Sequence, residues 1–205
     1  MSAAMSAKAA TAIAYPSRTR QRLQTRDRVF DASVAEFRRA GVAEAQIEDI
    51  VRAAGVARGT FYLHFPTKDH VLMELLRRKQ EAVAVQLLAT KTTSVRPFLR
   101  RCVDLLVADA GQEDAALYHE MLAVVARRAP EMRNIISPLV EAVITFLHGA
   151  QERGDVRTDL TPFDLGAVFL PGVYGLLQMR FDEPAEDLTR ALYRVVDIFV
   201  RGVSP

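Results

Sequence analysis

The sequence predicts an all-α fold of about nine helices. Apolar residues recur at three- and four-residue spacing along most of the chain, and no convincing run alternates in the manner of a β-strand. Gly, Pro or Asp stands at most of the predicted boundaries. With 205 residues, half of them hydrophobic, the chain can form one sizeable core or two small coupled ones. No apolar run approaches the roughly 18 residues of a membrane span, so we expect no membrane partner.

Four helices are predicted in the first part of the chain, at about residues 25–40, 47–54, 58–64 and 68–89. Gly41 and Gly55 stand where the first two end, and glycine readily takes the left-handed conformation found at helix C-termini. The third helix ends before Pro66, because the residue that precedes a proline is biased away from helical dihedral angles. Thr67 is expected to cap the fourth helix.

Five further helices are predicted after the linker "TKTTSV", at about residues 95–110, 113–129, 131–153, 162–181 and 184–202. The segment "DLGAVFLPGVYGLLQM" is apolar on nearly every side, which is typical of a helix buried both by its own core and by a partner. The final helix carries an apolar stripe. We therefore expect these two helices to form a dimer interface through Val168, Pro171, Gly172, Gly175, Leu188, Leu192, Val195 and Phe199.

Charge is distributed unevenly along the chain. Residues 1–80 carry a balance of +6 and residues 81–205 a balance of −4, which together give the net charge of +2. A basic first third suggests a part that faces a polyanion, although a solvated basic face would give the same balance. The single cysteine, Cys102, excludes an internal disulfide framework, and the N-terminal stretch lacks the apolar block of a secretion signal. We therefore expect a cytoplasmic protein.

The segment "DIVRAAGVARGTFYLHFPTKDHV" interrupts the helical pattern twice, and a helix-turn-helix explains both interruptions. Gly55 supplies the turn, and Gly59 bares the start of the second helix so that its backbone can approach DNA. Arg58 and Thr60 flank that glycine and are suited to base edges. The polar residues suited to phosphate oxygens are Tyr62, His64 and Lys68.

Two aromatic residues in the same segment, Phe61 and Phe65, alternate with these polar ones. They are expected to anchor the short helix on the first helix, because a helix this short needs a buried face.

This segment and the helix before it resemble the TetR family of bacterial transcriptional regulators. The resemblance is carried by Arg26-x-x-Val29-Phe30-x-Ala32, Phe37-x-x-x-Gly41, Ile50-x-x-Ala53-Ala54-Gly55-Val56 and "RGTFYLHFPTKDHVL". It is dense over about residues 22–75 and looser beyond, notably in "RGDVRTDLTPFDLGAVFLPGVYGLL". It implies that the DNA-contacting positions are Arg58, Gly59, Thr60, Tyr62, His64 and Lys68.

Together the residues and the resemblance imply a flexible basic arm at residues 1–21 and a helix-turn-helix DNA-binding domain at residues 22–66. Residues 67–205 would form a larger helical domain that binds an effector and dimerises. The family's behaviour implies a homodimeric repressor that binds a palindromic operator in double-stranded DNA and is released by an unidentified small molecule. No cofactor is expected.

Two departures from the family pattern concern helix caps. Ala57 stands where a serine usually caps the recognition helix, and Ala45-Gln46 replaces a pair of hydroxyl residues that usually caps the second helix and touches phosphate. Gln46 is expected to replace them in part as a DNA contact. Five arginines stand just before and within the start of the first predicted helix: Arg18, Arg20, Arg22, Arg26 and Arg28. A flexible basic arm there could follow a phosphate backbone or reach into a minor groove, or it could form a solvated tail.

The resemblance also places a small-molecule pocket among the fifth to seventh helices. Candidate lining residues are Phe98, Cys102, Tyr118, His119, Leu122, Phe146, Phe169 and Tyr174. Aromatic residues at helical spacing also fill ordinary cores, so the polar His119 is the most informative of them. A second polar set, Glu141, Thr145, His148 and Glu152, is interpreted as an exposed stripe, and no metal site is predicted.

Three function classes remain open from the sequence. The first is a ligand-responsive DNA-binding regulator, and the second is a small-molecule-binding dimer whose DNA head no longer works. The third, an all-α enzyme, lacks support because the chain has no "HExxH", no phosphate-binding glycine loop and no recognisable histidine partner for its cysteine. We expect that the protein is not an enzyme.

Overall fold

The computed structural model describes residues 17–113, 115–132 and 137–205. These described residues form nine helices and no strand, which confirms the predicted all-α fold. In chain order the helices are α1 Ser17–Ala40, α2 Ile47–Ala54, α3 Arg58–His64, α4 Lys68–Leu88, α5 Val95–Ala110, α6 Ala115–Met132, α7 Pro138–Glu152, α8 Pro162–Met179 and α9 Ala185–Val203. We call α1–α3 the head and α4–α9 the body.

The first helix is longer than the sequence pattern indicated. α1 begins at Ser17, so residues 17–21 of the predicted flexible arm are helical. Residues 1–16 of that arm lie outside the described residues. The extension is rich in arginine, glutamine and leucine, which favour helix, and its exposed outer turns do not need an apolar face.

The start of α7 also differs from the prediction, at Pro138 instead of about residue 131. Ser137 precedes the helix, and its Oγ accepts a hydrogen bond from the backbone N of Val140 at 3.2 Å. Proline suits the first helical position because it has no N–H to leave unpaired. These two residues together define the helix start.

The expected cap of α4 by the Thr67 side chain is wrong. Thr67 occupies the N-cap position, but its hydroxyl makes no cap hydrogen bond. It bonds instead with Nδ1 of His70 at 2.8 Å. α8 shows the alternative: Thr161 Oγ1 accepts a hydrogen bond from the backbone N of Asp164 at 3.1 Å in a capping box.

The head has its own small apolar core. Val29, Phe37, Ile50 and Phe61 are each at most 1% exposed. They hold α1 against both α2 and α3. Burying such large side chains stabilises the fold by about 1.5–3 kcal/mol each, which is enough to fix two helices too short to be stable alone.

α4 connects the head to the body, because it contacts α1 on one side and α5, α6 and α7 on the other. Within the body, α5 packs against α9, and α7 packs against α8. The large, fully buried side chains of the body include Leu72, Leu99, Met121, Leu147 and Phe169. α4 is therefore packed against helices of both the head and the body.

Within residues 17–113, 115–132 and 137–205, no helix combines the length and the apolarity needed to cross a membrane.

Candidate nucleic-acid interface and effector region

The turn between α2 and α3 is built around Gly55. This residue has φ +64°, in the left-handed region, where a side chain would be strained. Its N–H donates to the carbonyl of Arg52 at 3.3 Å, and the N–H of Val56 donates to that of Val51 at 3.0 Å. These bonds end α2 and aim the chain into α3 at a steep angle.

The recognition helix α3 is anchored by two aromatic side chains, as the sequence predicted. Phe61 and Phe65 are 0% and 1% exposed, and their ring centroids lie 6.4 Å apart. Phe65 also contacts Phe30 of α1, with centroids 6.3 Å apart. Because this face is buried, the opposite face of α3, which carries Arg58, Gly59, Tyr62 and Leu63, is exposed.

Gly59 is exposed and has no structural requirement within the protein. A Cβ placed there would meet no atom within 4 Å. Thr60, beside it, is half-buried, and its backbone N donates to the carbonyl of Ala57 at 2.9 Å. The fold itself therefore does not require a glycine at this position.

Arg58 lies along the exposed face of α3. Its Nη1 donates to Oε1 of Glu48 on α2, and its Nη2 donates to the hydroxyl of Tyr62 at 3.5 Å. The guanidinium carbon lies 5.9 Å from the Tyr62 ring centroid. The hydrogen bond to Tyr62 and the charge of Glu48 raise the pKa of Arg58, so it carries its charge at any physiological pH.

Two predicted phosphate contacts are engaged with the backbone of the head. Lys68 Nζ donates to the carbonyls of Val42 at 2.8 Å and Ala43 at 2.9 Å, which fastens α4 to the turn after α1. Gln46 Nε2 donates to the carbonyl of Glu44 at 2.9 Å, and Gln46 makes no side-chain cap on α2. The Gln46 side chain therefore does not cap α2, and its expected contact with DNA stays a prediction.

His64 and Arg26 are less exposed than Arg58 and Tyr62 on the outer face of α3. His64 is half-buried, and its burial, with the charges of Arg22 and Arg26, lowers its pKa. Arg26 Nη1 donates to Oε1 of Glu74 at 3.0 Å, and its guanidinium carbon lies 4.8 Å from the Phe65 ring centroid. Arg26 thereby joins α1 to α4, because a buried carboxylate faces it, and its contact with DNA stays a prediction.

Glu74 is the centre of a junction cluster between head and body, formed by Arg26, Asp27, Glu74, Arg77 and Arg78. Arg77 Nε donates to its Oε2 at 3.0 Å, and Arg78 Nε donates to its Oε1 at 2.8 Å. Burial alone would raise the pKa of Glu74, but hydrogen bonds from Arg77, Arg26 and Arg78 outweigh it and hold the pKa well below its ordinary value. Arg78 also reaches Asp27 at 2.5 Å.

A cleft of about 390 Å³ opens beside the junction cluster. It lies between the end of α3, the middle of α4 and the start of α7. Its lining residues are Arg26, His64, Phe65, His70, Met73, Glu74, Leu76, Arg77, Gln80, Ser137 and Pro138. None of the residues predicted to line an effector pocket takes part in it.

The predicted effector residues pack mainly as aromatic pairs. Phe98 and Phe146 stack with centroids 3.6 Å apart, and Tyr118 stacks on Phe181 at 4.6 Å. Phe169 contacts Phe199 at 5.1 Å, and Leu122 is half-buried against the core. Their role in binding an effector stays a prediction.

Two polar side chains of this region are joined by a hydrogen bond, and a buried thiol lies near them. Gln80 Nε2 donates to the hydroxyl of Tyr174 at 3.1 Å, which joins α4 to α8. Burial raises the pKa of Tyr174, and the nearby Tyr118 and Cys102 contribute. Cys102 is fully buried, and burial raises the pKa of its thiol to about 12, so the thiol is inert at neutral pH.

His119 carries a polar atom that the surrounding side chains do not satisfy. In the described part of the chain, its Nε2 is buried and has no hydrogen-bond partner. Its ring lies edge-on to Phe181, with centroids 5.6 Å apart. An unpaired buried nitrogen costs about 1–3 kcal/mol, so the fold gains nothing from a histidine here.

The outer face of α8 bears an exposed apolar stripe, formed by Val168, Gly172, Gly175 and Met179. Val168 is 69% exposed and Met179 is 83% exposed. A Cβ at either glycine would meet no atom within 4 Å, so this face is open. Pro171 is also exposed here, and α8 continues through it.

The α9 part of the predicted interface needs correction. Leu188 and Leu192 are 4% and 0% exposed, because this side of α9 packs on the protein's own body. Val195 and Phe199 are half-buried, and Ile198, beside them, is 71% exposed. The face of α9 available to a partner therefore centres on Ile198.

Within the described residues, no group of three or more His, Cys, Asp or Glu side chains is placed to hold a metal ion. In the predicted polar stripe of α7, Glu141, Thr145, His148 and Glu152 are all exposed. His148 Nδ1 lies 3.6 Å from Oε1 of Glu152.

Sequence reasoning missed two residues of the α3 surface. Leu63 is 69% exposed, although it is apolar. The spacing of Phe61 and Phe65 places it on the outer face, and this signal was available in the sequence. Glu48 was missed because only the angle between α2 and α3 brings it to Arg58.

Comparison with known proteins agrees with this geometry. The sequence profile described as "Bacterial regulatory proteins, tetR family" matches residues 29–75, from the middle of α1 into α4. This protein belongs to the TetR family. It is 26% identical to the HTH-type transcriptional regulator UidR of Escherichia coli K12 over 171 residues, which cover 81% of this chain and 85% of UidR.

Other relatives of this TetR-family protein match only a short part of it. The HTH-type transcriptional regulator SrpR of Pseudomonas putida is 42% identical over 57 residues. That match spans 28% of this chain and 27% of SrpR, and the match to TtgW of the same species spans 42% of TtgW.

Solved structures resemble most of the TetR-family chain. Thermus thermophilus FadR, a transcriptional repressor in complex with lauroyl-CoA, has a TM-score of 0.69 at 26% identity, covering 86% of this chain and 94% of FadR. RolR in complex with resorcinol has a TM-score of 0.67 at 19% identity, covering 92% of this chain and 98% of RolR, and shows the fold alone.

Proposed function

We propose that this TetR-family protein is a homodimeric, sequence-specific DNA-binding regulator, acting as a repressor that a small-molecule effector releases from its operator. The observation that carries the proposal is the outer face of α3. Phe61 and Phe65 are buried on the opposite side of the helix. Gly59 leaves the exposed start of α3 without a side chain, although the fold has room for one there. A short helix presented in this way fits a major groove.

The DNA contacts follow from the positions of the side chains on this face. Arg58 is suited to the O6 and N7 atoms of guanine, and Thr60 to a thymine methyl or an acceptor. Leu63 adds an apolar contact for a thymine methyl. Tyr62, His64 and Lys68 lie around them and would contact phosphates, with Lys68 exchanging one backbone carbonyl for a phosphate oxygen.

A homodimer is supported by the exposed apolar stripe on α8 and by Ile198 on α9. Apolar side chains left in water along one helical face are typical of a surface that a partner covers. Two copies related by two-fold symmetry would present two α3 helices about 34–36 Å apart, one turn of DNA. This spacing would match a palindromic operator.

An effector site is proposed in the body around His119. Its unpaired Nε2 lies beside the apolar rings of Tyr118 and Phe181, which suits an apolar ligand that offers one hydrogen-bonding group. FadR and SmeT are described in complexes with lauroyl-CoA and triclosan. These two ligands and resorcinol form the first panel for thermal-shift measurements with this protein.

An effector from that panel should raise the melting temperature and weaken operator binding by about 5- to 150-fold, the range of typical allosteric coupling. His119→Phe should weaken the effector and leave operator affinity without effector unchanged. A ligand that binds tightly and leaves operator affinity unchanged would contradict the release mechanism.

One observation favours the second candidate, a ligand-binding dimer with a weakened DNA head. Neither α2 nor α3 has a side-chain cap, since Gln46 and Ala57 make none. Selection of binding sequences from a random duplex library by the full chain separates the two. Enrichment of a two-fold symmetric sequence is expected, and failure to enrich any sequence would favour the weakened head.

The role of Arg58 is tested on the selected sequence. Arg58→Ala should relax base preference at one position of each half-site, measured by fluorescence anisotropy with single-base-pair variants. Arg52→Ala is the matched control, because Arg52 is also exposed but pairs with Asp49 of its own helix at 2.7 Å. It should weaken all duplexes alike. Equal effects of the two variants would remove Arg58 from sequence reading.

A further inference from the structure

An acidic side chain stands on the surface that would face DNA. Glu48 is in the first turn of α2, and its Oε1 accepts the Nη1 hydrogen bond of Arg58 across the turn of the helix-turn-helix. The two side chains remain 52% and 62% exposed. A carboxylate at this place repels phosphates, so a role in general affinity does not explain it.

The pairing restricts the arginine that is best suited to read a base. Glu48 accepts a hydrogen bond from Nη1 of Arg58, and the Tyr62 hydroxyl accepts one from Nη2. The guanidinium therefore lies along α3 instead of moving freely in water. Surface ion pairs contribute little to stability. Ordering a long side chain before binding reduces the entropy that binding would otherwise lose.

We propose that Glu48 and Arg58 form one composite reader of a G·C base-pair step in the major groove. Arginine has five N–H donors, so one bond to Glu48 leaves a pair free for guanine O6 and N7. Glu48 retains acceptor sites for the N4 amine of a neighbouring cytosine. This inference rests on the proposed sequence-specific DNA binding.

Glu48 would also exclude the wrong base. Thymine presents the O4 acceptor where cytosine presents its N4 amine, and a carboxylate facing O4 has no proton to share. The same charge that weakens binding to arbitrary DNA would thus discriminate cytosine from thymine, and specificity arises from repulsion as well as attraction.

The test compares the full-length wild type with Glu48→Gln and Asp49→Asn. Asp49→Asn is the matched control, since it removes the same charge from the next position while its partner Arg52 lies in the same helix. Each protein is carried through sequence selection. Affinity is then measured by anisotropy, at one salt concentration, for the selected operator, its single-base-pair variants and an unrelated duplex of equal length.

Glu48→Gln is expected to lower the ratio of operator to unrelated-duplex affinity by about fivefold or more, with the change confined to one G·C position per half-site. At that position it should admit thymine as well as cytosine, because the glutamine amide can donate to thymine O4 and accept from cytosine N4. Binding to the unrelated duplex should tighten. Asp49→Asn should tighten both duplexes alike and leave the selected sequence unchanged.

The proposal is overturned if Glu48→Gln changes both duplexes by the same factor as Asp49→Asn and selects the wild-type sequence. The proposed function would survive that result, because the wild type would still select an operator. If the wild type itself selects no sequence, the proposed function and this inference fail together.

Discussion

Two glycines of the helix-turn-helix occupy neighbouring positions for different reasons. Gly55 has φ +64°, so the backbone requires it, whereas Gly59 has an ordinary helical conformation and open space around it. Only the second has no explanation within the protein. Gly55 is therefore required by the fold, whereas we propose that Gly59 serves DNA binding.

Gly55→Ala is expected to lower the free energy of unfolding by about 1–2 kcal/mol, the cost of a left-handed conformation for a residue with a side chain. Gly59→Ala should leave that free energy unchanged or raise it by up to about 1 kcal/mol, since alanine favours helix. Operator affinity should fall for Gly59→Ala all the same. Urea denaturation and anisotropy check the two quantities, and a Gly59→Ala variant that binds normally would contradict close approach.

The sequence could not predict which groups within the protein the long side chains contact. Phe61 and Phe65 are buried as predicted, because helical spacing alone decides which face of α3 is apolar. Arg26 and Lys68 are held by Glu74 and by the carbonyls of Val42 and Ala43, which are 48, 26 and 25 positions away in sequence. No local pattern reveals partners at such separations.

At the scale of elements, the short helices of the head depend on packing more than on caps. α3 begins at Arg58, and Ala57 before it provides no side-chain cap, whereas α7 and α8 have hydroxyl caps at Ser137 and Thr161. The aromatic anchors compensate by burying one face of α3. The missing cap was predicted correctly from Ala57, since alanine has no group that can accept a hydrogen bond.

Ala57→Ser should raise the free energy of unfolding by about 0.5–2 kcal/mol, because its hydroxyl can accept a free N–H of the first turn of α3. Ala53→Ser is a suitable control, since it places the same hydroxyl within α2, where serine favours helix less than alanine does. Urea denaturation of both variants checks this. Equal effects would show that the added hydroxyl makes no cap.

The junction cluster is a second feature at the scale of elements, and it places a buried carboxylate among charged side chains. Glu74 accepts hydrogen bonds from three arginines of two helices. Its pKa is lowered in the folded protein, so the unfolded state binds the proton more tightly. Its contribution to stability is therefore complete above the unfolded pKa of about 4.5 and is lost as pH falls through the lower folded pKa.

Glu74→Gln should lower the free energy of unfolding at pH 7 by about 1–3 kcal/mol, a range reduced because the arginines are partly exposed. The variant should also lose less stability than the wild type as the pH is lowered below about 4.5. Glu81→Gln is the control, because its exposed pair with Arg77 contributes about 0.5 kcal/mol or less. Urea denaturation at several pH values checks this. The prediction is contradicted if the free energy of unfolding depends on pH in the same way in both variants.

At the scale of the whole molecule, the proposed dimer would form through the exposed stripe of α8. Val168, Gly172, Gly175 and Met179 lie on one open face, and Ile198 of α9 is exposed near the same end of the chain. A dimer formed there would fix the distance between two α3 helices. DNA affinity and association would then be linked.

Val168→Glu should convert the dimer to a monomer in analytical ultracentrifugation and weaken operator binding by about tenfold or more, because a charge would be buried at the interface. Leu88→Glu is the control: Leu88 is 62% exposed on α4, away from the stripe. It should preserve both association and binding. Loss of operator binding without loss of the dimer would place the dimer contacts elsewhere.

The sequence by itself determined the all-α class, the helix-turn-helix and the identity of the bare helix tip. These depend on local spacing, on glycine conformation and on the bias that proline imposes on its neighbour, all of which act within a few residues. It also identified α8 as apolar on both sides, and the exposed α8 stripe agrees with that reading.

Only the tertiary structure decided which face of each body helix is inward and which charged groups meet. Leu188 and Leu192 resemble interface residues in sequence but are buried in the protein's own core, in a body where α9 contacts both α5 and α8. Arg58 meets Glu48, and Arg26 meets Glu74, because helix angles bring them together. Hydrophobic periodicity predicts that one face of a helix is buried. Only three-dimensional packing decides whether the protein's own core or a partner covers that face.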